Sequence, residues 1–367
     1  MEQYTEYELG AICSRLSSGK GISARNITDE GEYPVYGGNG LRGYTGTCNF
    51  DGDCAIIGRQ GAFCGNVRYF NGQAYMTEHA VVCCANEEHN TRYLAYLLST
   101  MNLGRLSGQS AQPGLSVKTL SKQIVRMPSL EQQKKVVSVL SALDAKNASN
   151  EKINDNLQQQ LHLLFIQIFN GISEDVVLGD VVETTSGGTP SRKHTEYYEN
   201  SSICWVKSKE LLGNYILDTE EHINDMALSK SSAKLLPMHS VLIAMYGATV
   251  GAYGIISKSM TCNQAVCALL CNEKYPYTYL FQIAQEQQQK LINMAVGSAQ
   301  QNISQVLIKQ LPLHSDIAAI RKFHNLALPL HKQIEKLQAE NRTLSEMRDT
   351  LLPQLMSGKL DVSDIEL

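Results

Sequence analysis

Apolar residues recur by fours and threes over two long stretches of the chain. Val136, Leu140, Leu143, Asn147, Asn150, Asn154, Leu157, Leu161, Leu164 and Ile168 mark the first; Ile320, Phe323, Ala327, Leu330, Ile334, Leu337, Asn341 and Leu344 mark the second. A seam of that period predicts a helix packed along its whole length, as in a coiled coil. Gly171 and Gly358 stand where such helices would stop. Pro329 is expected to kink the second near its middle. Asparagines weaken an apolar seam but can fix register and orientation. Two similar stripes suggest that the helices pack on each other, and antiparallel pairing would relate the two halves by a rough two-fold axis. The alternative is that each stripe packs on its own domain, with Asn147–Asn154 a weak middle.

The remaining text alternates short strand-like runs with glycine-rich turn signals, and it is said twice. "LGAICSRLSSGKG" from Leu9 matches "LGDVVETTSGGTP" from Leu178, and "GRQGAFCGNV" from Gly58 matches "AMYGATVGAY" from Ala244. "TEHAVV" from Thr77 matches "CNQAVC" from Cys262, and "SAQPGLS" from Ser110 matches "SAQQNIS" from Ser298. Each copy then reaches a proline, Pro128 or Pro312, and one of the long helices. The shared order predicts an α+β chain with an internal repeat. Residues 1–128 form one mixed α/β domain, 129–171 a central helix, 172–312 a second domain, 313–358 a distal helix and 359–367 a tail.

Composition narrows the class. The chain has 367 residues, 43% of them hydrophobic, and a net charge of -4. The charge does not advertise nucleic-acid binding, but affinity for nucleic acid comes from a local basic stripe, not from the whole-chain sum. The opening "MEQYTEYELG" is acidic and polar, unlike a secretory leader, and no apolar run approaches the roughly 20 residues of a membrane span. A cytoplasmic protein is expected. The ten cysteines form no C-x-x-C and read as buried thiols rather than zinc ligands.

Two modules on a helical spacer suit duplex DNA, because a helix of forty residues spans roughly 60 Å and major grooves repeat every ~34 Å. The paired loops "SSGKG" and "SGGTPSRK" make Lys20 and Arg25, with Ser191, Arg192 and Lys193, candidates for phosphate contact. Arg42, Arg59, Gln60 and Arg68 in the first half, and Lys207, Lys209 and Tyr246 in the second, are candidates for base reading. In "ICWVKSKEL" from Ile203, Lys207 and Lys209 are expected on one strand face. Gln112 and Gln300 sit at matching joints within the repeated phrase. They either bond turn backbone or contact DNA.

"YPVYGGNG" from Tyr33, "SAQPGLSVKTLSKQIVRMPSLEQQKKV" from Ser110, "SAQQNISQVLIKQLPL" from Ser298 and "LLPQLMSGKL" from Leu351 carry a more specific likeness. With the globule–helix order, they make the chain resemble the specificity subunit of a Type I restriction-modification system. The resemblance implies two target recognition domains on an antiparallel coiled coil, reading the halves of an asymmetric bipartite site in double-stranded DNA. It implies two methyltransferase (modification) subunits docked on the helices. Those partners would bring S-adenosylmethionine, and motor-nuclease (restriction) subunits would bring ATP and Mg. This chain would hold no cofactor and catalyse nothing.

The residues agree with a non-catalytic reading. The chain has no H-E-x-x-H, no G-x-S-x-G, no complete Walker sequence and no Asn-Pro-Pro-aromatic motif. Gly38, Gly40 and Gly43 spell G-x-G-x-x-G, but "YTGTCNFDGD" follows instead of a helix, and Asn39-Gly40 reads as a hairpin turn. The competing class is a non-DNA adaptor with duplicated ligand-binding modules on a coiled-coil stalk.

Overall fold

The computed structural model describes residues 4–107, 114–295 and 302–362. It separates into two units, Met1–Asn147 with Thr343–Leu367, and Ala148–Arg342. Two 40-residue helices, Leu130–Phe169 and Ile317–Met356, each contribute to both units. The distal helix continues unbroken through Pro329. Gly171 and Gly358 follow the helix ends with φ of 80° and 70°, the left-handed geometry that stops a helix.

Within each unit the helix segments run antiparallel. In the first, Asp144 faces Arg348 at 3.6 Å and Asn147 donates to Ser345 at 3.2 Å. Val136 and Leu140 share a core with Leu355 and Met356. In the second, Asn150 donates to Glu340 at 2.9 Å and to Asn341 at 2.8 Å, and Phe165 meets Phe323 edge-on. Every residue of the two predicted seams is buried or half-buried. Asn150 is fully buried on this seam, so its bonds to Glu340 and Asn341 are what make its burial tolerable and fix which turns face each other.

The first unit is built on a six-stranded sheet. Its strands run, in spatial order, Cys13–Ser18, Ala80–Ala85, Phe50–Gly58, Val67–Met76, Tyr33–Gly37 and Gly40–Thr45. All neighbours are antiparallel except Tyr33–Gly37 beside Val67–Met76. Alternation places Ala55 and Ile57 under the helix Thr91–Thr100, and Cys54 and Ile56 on the opposite face. In the second unit a five-stranded sheet orders Glu183–Ser186, Val266–Leu270, Val241–Ala244, Tyr253–Ile256 and Tyr215–Ile216. A three-stranded sheet of His222–Ile223, Ile203–Val206 and Thr261–Cys262 accompanies it. The helix Tyr277–Glu286 covers the larger sheet as Thr91–Thr100 does in the first unit, with Tyr279 and Tyr93 wholly buried.

The two units repeat one hydrogen-bond plan. Arg59 N bonds to His79 O as Met245 N bonds to Ala265 O. Thr77 N bonds to Tyr36 O as Asn263 N bonds to Val206 O. These bonds align Thr77 with Asn263, one residue away from the alignment that the sequence text suggests. The glycine run at 37–43 is a hairpin in which Gly37 faces Gly40 across Gly38-Asn39. All ten cysteines are free.

His331 of the distal helix is fully buried in the second unit. Its Nδ1 lies 3.0 Å from the Tyr215 hydroxyl, its ring is edge-on to Tyr277 and Phe281, and its Nε2 has no partner among the described residues. Burial first, then the neighbouring His239 and His324, push its pKa down to about 3. The unfolded chain therefore binds a proton near pH 6.5 that the folded unit refuses until far lower pH. Stability is complete above 6.5 and falls as pH drops toward 3. From pH 7 to 4.5 the loss from this residue is about 2–3 kcal/mol. Urea midpoints of the wild type and His331→Gln at the two pH values measure it; the variant should lack that part of the decline.

Candidate nucleic-acid interface

The hairpin tip of the first unit gathers several of the predicted residues. Arg42 folds back over Gly37, where a methyl group would stand 2.7 Å from its Cδ. The Arg68 guanidinium covers Gly40, whose φ of 104° is a conformation that favours glycine. Gly38 abuts the backbone of Arg59, whose Nη1 donates to Glu78 O at 3.4 Å. Gln60 Oε1 lies 3.0 Å from His79 Nδ1. Lys20 N donates to Met76 O, which anchors the 19–21 loop at the end of the strand Val67–Met76. Arg25 lies further along the same connection, exposed in the short turn Ala24–Asn26. Among the described residues, Lys20, Arg25, Arg42, Arg59 and Arg68 form no ion pair, and the one carboxylate placed at the tip, Glu78, is 3.2 Å from His79.

The corresponding edge of the second unit is chemically different. The strand ends at Val206, so Lys207 and Lys209 lie in a turn and not on a strand face. The Glu210 carboxylate reaches back to the start of the turn, where Lys207 N donates to Glu210 Oε2 at 2.7 Å. Lys207 and Arg192 both pair with Glu221, and Lys209 pairs with Glu220 at 2.5 Å. The Arg192 guanidinium also lies 4.4 Å from the Tyr198 ring centre and 5.4 Å from that of Trp205. Ser191 Oγ accepts from Lys193 N at 3.3 Å, and Lys193 is exposed. Tyr246 occupies the place of Gln60 and is 41% exposed. Glu220 and Glu221 were not singled out from sequence; the acidic pair in "LDTEEH" was the available signal.

Next to these acids, Cys204, Asp218 and His222 bring three potential ligand atoms within 4.8 Å of one another. Cys204 and His222 are cross-strand partners. Burial works to raise the Asp218 carboxyl, but bonds from Arg342, Cys204 and His222 outweigh it and hold its pKa well below the usual range. Arg342 at 2.5 Å and Lys258 at 3.9 Å already match the charge of Asp218. The cluster ties the 218–222 loop to the distal helix.

Gln112 and Gln300 lie outside the described residues. The ends of their repeated phrase are placed, and identically. Gly114 forms a bridge with Gln60 and Asn302 with Tyr246. Leu115 and Ile303, each 1% exposed, enter the cores. Ser116 and Ser304 then cap the helices Val117–Ser121 and Gln305–Lys309, accepting from Thr119 N at 2.9 Å and Leu307 N at 3.2 Å. The repeated text thus returns the chain to the edge just described and restarts it as a helix.

The model for the Type I restriction modification DNA specificity domain matches residues 1–159 and again 172–314. The chain belongs to that family and carries its domain twice. It is 40% identical over 150 residues to the Type I restriction enzyme EcoprrI specificity subunit of Escherichia coli, across 40% of this chain and 37% of that one. It is 25% identical over 315 residues to the MjaIX specificity subunit of Methanocaldococcus jannaschii, across 75% of this chain and 70% of that one. The chain thus spans little more than a third of the first relative. The crystal structure of the S subunit of a Type I restriction-modification system from M. genitalium has the same fold, with a TM-score of 0.65 at 16% identity over 96% of both chains.

The two caps have a measurable weight. Ser116→Ala and Ser304→Ala should each cost about 1 kcal/mol, read as a lowered urea midpoint, with the secondary structure retained in circular dichroism.

Proposed function

We propose that the chain is the DNA-recognition subunit of a Type I restriction-modification complex. Each unit reads one half of an asymmetric bipartite duplex site. The observation that carries this is the duplicated edge: in both units the same turn, hairpin position and returning phrase converge, but on unlike side chains. Conserved geometry with divergent chemistry is what two readers of different half-sites require. The paired helices serve as docking surfaces for two methyltransferase subunits, with motor-nuclease subunits joining where cleavage occurs. S-adenosylmethionine and ATP with Mg belong to those partners, and this chain supplies recognition without catalysis. No described helix is long and apolar enough to cross a membrane, in keeping with action in the cytoplasm.

Binding of random-sequence duplex DNA, measured against salt with the methyltransferase partner present, tests the reading. Affinity should fall steeply as salt rises, by about 0.9 in the logarithmic slope per phosphate contact. A slope near zero would identify a non-DNA adaptor instead. Exchanging residues 1–128 for another recognition domain, followed by mapping of methylated sites in host DNA, should alter one half-site only. A change in both halves would overturn independent reading.

A further inference from the structure

The two edges present opposite electrostatic states. At the first, Arg42, Arg59 and Arg68 surround the hairpin tip with no acidic partner among the described residues. At the second, Arg192, Lys207 and Lys209 are held by Glu221 and Glu220. The backbone plan makes these the same place. Tyr36 and Val206 are the last residues of equivalent parallel pairings, with Met76 and Cys262, so the Gly37–Gly40 hairpin and the Lys207–Glu210 turn occupy equivalent positions. The acids are themselves fixed. Glu210 Oε1 accepts from Glu220 N at 2.9 Å, and Trp205 N bonds to Glu221 O at 3.1 Å, so the acidic loop is tied to the turn and strand that carry the lysines.

We propose that the two units hold DNA unequally: the first grips phosphate with unpartnered arginines, while Glu220 and Glu221 of the second mask its cations from non-specific phosphate. The inference rests on the DNA-recognition reading and deepens it. Non-specific affinity comes from cations that release counterions from the duplex. An arginine without a carboxylate partner is available for this at every sequence. A lysine already paired must exchange one anion for another, with little net gain. The second unit therefore contributes discrimination: its cations leave their carboxylates only where the groove offers enough additional contacts. The first unit supplies attachment and the second verification.

The test uses the full chain assembled with its methyltransferase subunits and a random-sequence duplex of roughly 40 base pairs, with apparent Kd followed from about 50 to about 300 mM salt. Arg42→Gln and Arg68→Gln should each flatten the slope by about 0.9, whereas Lys209→Gln should leave it unchanged. Glu220→Gln and Glu221→Gln should steepen it by about 0.9 per released cation and tighten low-salt binding roughly three- to tenfold. Glu273→Gln makes the same change of charge at the far end of the strand Val266–Leu270 and should have no effect. Lys209→Gln flattening the slope as Arg42→Gln does would overturn the proposal, as would Glu220→Gln behaving like Glu273→Gln. Glu220 is exposed, so its variant keeps the test decisive if Glu221→Gln fails to fold. Absence of salt-dependent binding in the wild type would instead reject the underlying reading, which separates the two failures.

Discussion

Burial of one helix seam against another is the interaction on which both units depend. Neither unit has a complete core without it. Val136 and Leu140 from the middle of the chain need Leu355 and Met356 from its last helix, and Leu161 and Phe165 need Phe323 and Ala327. The apolar pairs supply most of the stabilisation, since each fully buried side chain of this size contributes about 1.5–3 kcal/mol. The polar pairs choose the alignment. The Nδ2 of Asn150 donates to Asn341 and that of Asn147 to Ser345 only when those turns face each other, and a slip of one turn would leave these buried donors unbonded.

The two units attach the helices to their sheets by different chemistry. In the first, Arg92 and Tyr96 of the helix Thr91–Thr100 reach Asp144, which also faces Arg348. In the second, aromatic and neutral contacts, Tyr215 on His331, Phe281 edge-on to His331 and Thr278 on His324, stand beside the Arg342–Asp218 ion pair. The backbone plan repeats while the side chains at the attachment do not.

Much of this was legible in the sequence because period is a physical signal. A seam stepping by fours and threes stays on one helix face, and every predicted seam position is buried or half-buried. The hairpin at 37–43 was legible because no helix-forming text follows its glycines. The placement of Lys207 and Lys209 was not. Alternation suggested a strand, but the Glu210 carboxylate captures the Lys207 amide and ends it. The pairing of Glu220 and Glu221 with three cations was equally hidden. It depends on where the 217–223 loop folds back, which no local pattern encodes. Candidate residues could be named from type and neighbourhood, but their electrostatic state could not.

The first unit closes on residues from both ends of the described chain: Gly358 packs against the Tyr4 ring, and Val362 is 4% exposed in the same core as Leu9. During synthesis on the ribosome, the domain translated first must wait for the distal helix before its core can be finished. The second unit has nearly all of its parts once the helix emerges as far as Arg342. Order of translation and order of completion are thus reversed, and the nascent first domain presents an unfilled apolar face through most of elongation.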